Sequence, residues 1–305
     1  MTDFFTTPGQ FYRGNLHTHS TLSDGALEPS EVCRRYRDEG YDFLSLTDHL
    51  IGRYGYPIAD TRTFRSPGFT TIIGAEIHAG RQENGELWHM VANGLPFDFE
   101  PPESPTFRAE DSTETIQSLA QRAVDAGAYV SIAHPQWSGL TQADARSLPM
   151  AHAVEVYNHG CLTGADRPDG MHCLEQLLED GQKLDLIATD DAHFTEPDHF
   201  GGWVMVKAPE NDPDALLDAL KAGHHYASQG PEIRNIVVTE REVVVECSAA
   251  VSIIVQAQGN VAKAIHGLSM TRGAMPLERL RDPRYLKITV IDAAGRRAWS
   301  NPIWL

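Results

Sequence analysis

Basic residues are in short supply. The 305-residue chain carries 25 lysines and arginines against 42 aspartates and glutamates, a formal charge of −17, which argues against a phosphate-backbone partner held on a basic face. Carboxylates gathered around bound cations would nevertheless be neutralised in the folded protein. Cysteine is sparse as well: Cys33, Cys161, Cys173 and Cys247 stand far apart with no C-x-x-C pair. Neither a disulfide framework nor a thiolate zinc knuckle is expected, and a reducing cytoplasm fits. Long apolar runs are missing. No stretch approaches the ~20 apolar residues that cross a bilayer, and the opening MTDFFTTPGQ has neither the basic nor the apolar region of a secretory signal. The expectation is a soluble, untargeted, cytoplasmic protein with no membrane and no long nucleic-acid partner. No internal repeat or low-complexity tract is evident. What remains is an ordinary globular composition, 41% hydrophobic and 22% charged, enough for one large domain or two modest ones at roughly 100–200 residues each.

From about Gly14 to Ser228 short apolar or β-branched runs alternate with helix-like stretches, the pattern of a βα fold. Pro29 to Glu39 reads as a helix with proline in its first turn and Gly40 just past its end, followed by the strand Phe43 to Leu46. Asp111 with Glu114 three residues on reads as a capping box opening a helix to about Ala126, before the strand Tyr129 to Ala133. The cadence continues through strands Ala153 to Tyr157, Leu184 to Ala188 and Trp203 to Lys207, with helices near Pro168 to Asp180 and Pro213 to Ala222. Pro96 to Glu110 reads as a loop. After Gly230-Pro231 the texture changes to Ile236 to Val238, Val243 to Val245, Val251 to Val255 and Leu286 to Ile291. The expected division is therefore 1–230 for the βα region and 231–305 for a small antiparallel β appendage.

Residues that carry chemistry sit where the predicted strands end. His17 and His19, two apart on a strand, face the same way. Asp24 follows in Ser23-Asp24-Gly25, then His49 after Thr47-Asp48, Glu76, His89, His134 before a proline, and Asp191 with His193. Converging at one mouth of a βα barrel, six histidines and three carboxylates exceed the needs of one ion. At about four or five ligands per ion they suit two or three. Nitrogen and oxygen donors without thiolate favour Mn²⁺, Fe or Zn²⁺. Clustered cations of this kind activate water and clamp the oxygens of a hydrolysable ester.

On these motifs, in this order across about Arg13 to Gly230, the sequence resembles the polymerase-and-histidinol-phosphatase (PHP) family of metal-dependent hydrolases. The resemblance implies a distorted (β/α)7 barrel with a trinuclear metal centre. Carried over residue by residue, it implies that His17, His19, Glu76 and Asp191 hold one metal. Glu76 would bridge to a second held by His89 and His134, with His78 close enough to Glu76 to replace His89. Asp24, His49 and His193 would hold the third. Asp48 and Asp190 are read as groups that orient ligand histidines, and Asp48 stands with His159 as a candidate catalytic residue. The C-terminal region resembles that of the carbaryl-hydrolase-like branch, which is linked to carbamate or ester cleavage.

Three functions stay open on the sequence. The first is a phosphoesterase in which a metal-bridging hydroxide attacks a small phosphorylated substrate, with Arg53 and His159 as candidate substrate-binding residues, and Arg13, Arg62 and Arg65 near the same loops. The second keeps the centre but cleaves a carbamate, ester or amide, for which Trp88 and Trp137 beside His89 and His134 would offer apolar surface. The third is a non-catalytic metal-binding or regulatory module. The (β/α)8 amidohydrolases, which bridge their metals with a modified lysine, fit less well, because no lysine occurs between His19 and Lys183.

Overall fold

The computed structural model describes residues 2, 3, 5 and 8–305. Seven strands form the sheet that carries the candidate ligands: β1 (Gln10–Asn15), β2 (Phe43–Leu46), β3 (Thr70–Ile77), β4 (Met90–Asn93), β5 (Tyr129–Ile132), β6 (Ala153–Asn158) and β7 (Asp185–Thr189). β1, β2 and β3 are parallel neighbours, and so are β5, β6 and β7. Between these triplets β4 runs antiparallel to both β3 and β5. Nearly every residue of β2 to β7 is buried, as expected of strands covered on both faces. Beyond the ends of β1 and β7 the chain still pairs. Asp191 N–H donates to His17 O (2.8 Å) and His19 N–H to Ala192 O (2.9 Å).

The helices pack outside this sheet for legible reasons. Pro29–Asp38 opens on its proline and stops before Gly40, which takes φ 87°, and buries Val32, Cys33 and Tyr36 on one face. The expected capping box at Asp111 and Glu114 is absent. The helix is Ile116–Asp125, capped by Thr115, whose hydroxyl accepts from Ser118 N–H, and Glu114 instead binds Arg122 (2.9 Å). A true capping box occurs at Thr141 and Asp144, at the start of Gln142–Arg146. The helix expected over Pro168 to Asp180 is shorter, Met171–Glu179, and His159–Ala165 forms a helix of its own. β4 has no counterpart in the sequence reading, where its apolar run is only Met90 to Ala92.

On the far side of β1 lies the antiparallel β8 (Trp203–Ala208), and beyond it β9 (His225–Ser228). β9 then pairs with Arg297–Ser300 of the C-terminal region, so the hydrogen-bonded ladder runs without a break into residues 231–305. That region is antiparallel, as its alternation predicts. Val243 to Val245 and Val251 to Val255 prove to be one 15-residue strand, Glu242–Gln256, hairpinned with Ala262–Pro276. Its core is mostly its own, Ile236, Val245, Ile253, Ile288 and Val290 among others, yet includes Phe5 and Tyr226. No helix among the described residues is long and apolar enough to cross a membrane, and all four cysteines are free thiols.

Candidate metal centre

All nine residues named from the sequence converge at one end of the sheet. The strand polarity explains this. His17, His19, His49, Glu76, His134, Asp191 and His193 lie at or just past the C-terminal ends of parallel strands. His89 immediately precedes β4, whose reversed direction brings its N-terminal end to the same edge. The sequence reading placed His89 at the end of a strand; it lies at the beginning of one and still reaches the site.

Glu76 is central and fully buried. Its Oε1 lies 2.6 Å from His89 Nδ1 and 3.3 Å from His134 Nε2. Its Oε2 lies 3.6 Å from both His17 Nε2 and His19 Nε2. These same ring nitrogens are 3.2 and 3.0 Å from Asp191 Oδ1. On the outer side Asp24 meets His49 Nε2 at 3.3 Å and His193 Nε2 at 3.4 Å. These donors therefore share one basin. The donor atoms that lie close enough to share an ion group as His19, Asp24, His49 and His193, as His49, Glu76, His78 and His89, as His17, His19 and Glu76, and as His17, His134 and Asp191, so His134 falls with His17 and Asp191 where the resemblance implies a set with His89.

These residues suit cations on grounds of their own. Glu76 Oε2 is buried and makes no hydrogen bond, although His49 Nδ1 is 2.6 Å away, and a buried carboxylate oxygen left so is costly unless a positive charge faces it. Against the opposing effect of burial, neighbouring histidines hold Glu76, Asp191 and Asp24 well below the usual carboxylate range, so all three stay ionised. Burial, with His49 and His193 close by, pushes the His19 ring down to about 4, which leaves it neutral and able to donate a lone pair. Two of the ligand residues sit at strained backbone angles, His134 at φ 26° and Asp191 at φ 54°, a common feature of sites whose geometry the surrounding structure enforces.

Several supporting residues were missed in the sequence. Glu155, fully buried on β6, takes His17 Nδ1 at 2.7 Å and accepts from His134 N–H (2.8 Å), Asn158 Nδ2 (3.0 Å) and Thr189 Oγ1 (2.9 Å). An acid inside the apolar run Ala153-Val154-Glu155-Val156-Tyr157 was the available signal. Ser138 Oγ pairs with His134 Nδ1 (2.9 Å), and Asp198 holds the His193 and Phe194 backbone N–H groups (2.7 and 3.1 Å). His78 lies inside the donor cluster with Nε2 2.9 Å from His49 Nδ1, while its Nδ1 meets Trp88 O (2.8 Å). The carbonyl can only accept, so His78 Nδ1 carries the proton and its Nε2 is free to accept from His49.

Asp48 and Asp190 do not orient ligand histidines. Asp48 accepts from Ser20 N–H and from the hydroxyls of Ser20 and Ser23 (2.8, 2.7 and 2.6 Å), fixing the turn that carries Asp24. Asp190 accepts from Tyr36, Asn15 and the backbone N–H groups of Phe200, Gly201 and Gly202. Asp48 precedes His49 and Asp190 precedes Asp191, and both carboxylates are taken up by these loop and strand donors rather than by a histidine ring. Asp48 is buried within this network. His159 Nδ1 is 2.8 Å from Tyr157 OH, outside the donor groups. Arg53 is exposed, 5.2 Å above the Tyr54 ring, which stacks on His49 at 6.2 Å. The other arginines are engaged elsewhere: Arg13 lies between Tyr41 and Trp203 (3.9 Å each), Arg62 pairs with Asp60 and Arg65 binds Thr71.

With the whole chain aligned, 99% of it covers 98% of a crystal structure from Bacteroides vulgatus at TM-score 0.55 and 16% identity; that protein is named as a two-domain protein containing a predicted PHP-like metal-dependent phosphoesterase. The chain has a PHP-like fold. The likeness extends through both parts of the chain, so the C-terminal β region belongs to the shared architecture. Two further structures are similar at lower score: a Bifidobacterium adolescentis protein whose name proposes metal-dependent phosphoesterase activity (TM-score 0.43, 15% identity, 60% of this chain and 89% of that one), and a Chromobacterium violaceum amidohydrolase (0.45, 15%, 61% and 89%). Neither adds weight to the PHP-like assignment. A curated 5′-3′ exoribonuclease of Haemophilus influenzae is 37% identical over 86 residues. The match spans 28% of this chain and 28% of that relative. No family model matches.

Proposed function

We propose that this chain is a metal-dependent hydrolase of the PHP family, acting most readily on a phosphoester of a small molecule. The carrying observation is the single basin in which Glu76 divides its two oxygens between His89 with His134 and His17 with His19, while Asp24, His49 and His193 close the outer side. Two or three divalent ions held by these donors, Mn²⁺, Fe or Zn²⁺, would lower the pKa of water and neutralise the oxygens of the ester. The chain's own residues set the geometry. Glu155 fixes the His17 ring through Nδ1, Ser138 fixes His134, and His78 accepts from His49 Nδ1, so that each ring presents Nε2 to the basin. Arg53, exposed over the Tyr54 ring that stacks on His49, is our candidate for meeting an anionic group that enters from solvent. We also read the seven-strand sheet as a distorted (β/α)7 barrel, supported by the hydrogen bonds that join His17 to His19 with Asp191 and Ala192.

A carbonyl substrate, carbamate or ester, is the second reading. It is favoured by Trp137, 44% exposed beside His89 and His134. The deciding experiment loads metal-analysed protein with Mn²⁺ and compares p-nitrophenyl phosphates with aryl carbamates and esters. Chelator-sensitive preference for the phosphates is expected. Preference for the carbonyl panel transfers the assignment to the second reading, and bound metal with turnover of neither panel overturns both.

A further inference from the structure

The basin that holds the metal donors, about 270 Å³, is lined on one side by His89 and Trp137. The same two residues line a second cavity of about 360 Å³, together with Asn84, Glu86, Leu87 and Arg167. The two spaces therefore abut across one histidine and one tryptophan. The group attached to a phosphoryl held among the donors needs room of its own, and the second cavity adjoins the first across His89 and Trp137.

The wall between them is built. Trp137 sits on the single helical turn Pro135–Ser138, which starts at the ligand His134 and ends at Gly139 in the left-handed region (φ 64°). Asn84 Nδ2 donates to Ser138 O (2.7 Å) and Gly139 O (3.1 Å), tying this turn to the loop before β4. The Trp137 ring stands at 75° to both His89 and His134, with centroids 5.7 and 4.9 Å away, and 44% of the residue faces solvent. A fixed, half-open indole beside a reaction centre offers a platform for a flat ring.

Arg167 supplies the charge. It follows the left-handed cap Asp166 of helix His159–Ala165 and is anchored by its backbone N–H to Cys161 O (3.0 Å). Its guanidinium is exposed and has no carboxylate partner among the described residues, whereas Arg34, Arg62, Arg122, Arg146, Arg284 and Arg296 are each paired with an Asp or Glu. In a chain of net charge −17, an unpaired guanidinium at the edge of the second cavity has its donor fork open to a carboxylate or phosphate.

Resting on the hydrolase reading, we infer that this second cavity is the leaving-group subsite and selects a planar ring bearing an anionic substituent, the ring on Trp137 and the anion on Arg167. Glu86 on the same wall limits how much negative charge the cavity accepts, so its neutralisation strengthens the selection.

The test uses the full metal-loaded protein and two probes of nearly equal shape, 4-carboxyphenyl phosphate and 4-carbamoylphenyl phosphate, with calorimetric binding of the products 4-hydroxybenzoate and 4-hydroxybenzamide alongside. The wild type is expected to favour the carboxylate over the amide by about tenfold in kcat/KM, the effect of one charged hydrogen-bonded pair. R167Q brings that ratio towards one, R167E inverts it, E86Q raises it, and W137A weakens both aryl products. Arg167 and Trp137 are exposed or half-exposed, so these variants are expected to fold, and circular dichroism checks this. A wild-type ratio near one, or a preference that survives R167Q, overturns the inference while leaving the hydrolase reading intact. Charge-selective, Arg167-dependent product binding without turnover of either phosphate supports the subsite and overturns the phosphoesterase reading.

Discussion

Glu155 occupies a position from which one carboxylate governs two ligands, because Oε1 meets the His17 ring and Oε2 the His134 backbone N–H. It is fully buried, so a neutral amide in its place keeps the volume and loses the charge that raises the basicity of His17. E155Q is expected to lower metal affinity by about 10–100-fold with far-UV circular dichroism unchanged, measured as metal retained against a graded chelator. Wild-type retention would show that Glu155 is only a packing residue. The residues that converge on the basin are legible in the sequence because histidine and carboxylate are conspicuous at the ends of apolar runs, and a run's end is where a βα fold turns its side chains into solvent or a site. Their supporting residues were not legible. Glu155 acts on His17 from 138 residues away, a pairing that no local pattern encodes; Ser138 and Asp198 lie four and five residues from the groups they hold but carry no motif, and His78 is legible only as a replacement for His89. Asp48 and Asp190 illustrate the converse. Standing one residue before His49 and one before Asp191, they suggest contacts with the site, but successive residues point to opposite sides of an extended chain.

Strand geometry carries the next set of expectations. Gly14 on β1 is paired with Phe43 on β2, and a Cβ on Gly14 would lie 2.1 Å from the Phe43 ring, far inside contact distance. The ring fills the space over the glycine, and Phe43 is fully buried, so it has nowhere to retreat. G14A is expected to destabilise the protein by about 1–3 kcal/mol, read from urea unfolding; an unchanged midpoint would mean that the pair separates freely. At the start of β7, burial pushes the Asp185 carboxyl up to about 7. Its protonated form suits the folded state, so its contribution is fully present below the unfolded value of about 3.9 and is lost as pH rises through about 7. D185N is expected to match the wild type in thermal stability near pH 4 and to exceed it increasingly up to pH 8. A constant offset across that range would exclude ionisation of Asp185 as the cause. The strands flanked by Gly and Pro, and helices opened by proline and closed by glycine, were readable from such signals. β4 was not, since its apolar run Met90 to Ala92 ends in Asn93 and follows no helix-like stretch, and its reversed direction is decided by tertiary pairing alone.

At the scale of the whole molecule, composition marks a change of texture at Gly230-Pro231, but hydrogen bonding crosses it. Tyr226, Ala227 and Ser228 pair with Ser300, Trp299 and Ala298. The Trp299 ring stacks on Tyr157 at 6.3 Å, and Trp299 and Tyr285 are buried in the same core as Val154 and Leu186 of the βα region. Asn301 accepts from Leu186 N–H (2.9 Å) and donates to Gly223 O (3.1 Å), so it ties β7 to the loop before β9. Across the outer surface Glu175 and Glu179 of the helix Met171–Glu179 reach Lys287 and Arg284 (2.6 Å each). Removing residues 231–305 would expose β9 as an open edge, strip the indole from Tyr157 and leave the buried N–H of Leu186 without its partner, each a recognised route to unfolding or aggregation. On these contacts the two parts are expected to fold together, the texture change marking a difference in strand arrangement. A chain ending at Gly230 is expected to be insoluble or to lack metal and cooperative unfolding, while the 305-residue chain unfolds in one urea transition followed alike by tryptophan fluorescence and far-UV circular dichroism. Two resolved transitions in the 305-residue chain, or a soluble, metal-retaining 1–230 fragment, would establish that the βα region stands alone and that the β region is an accessory.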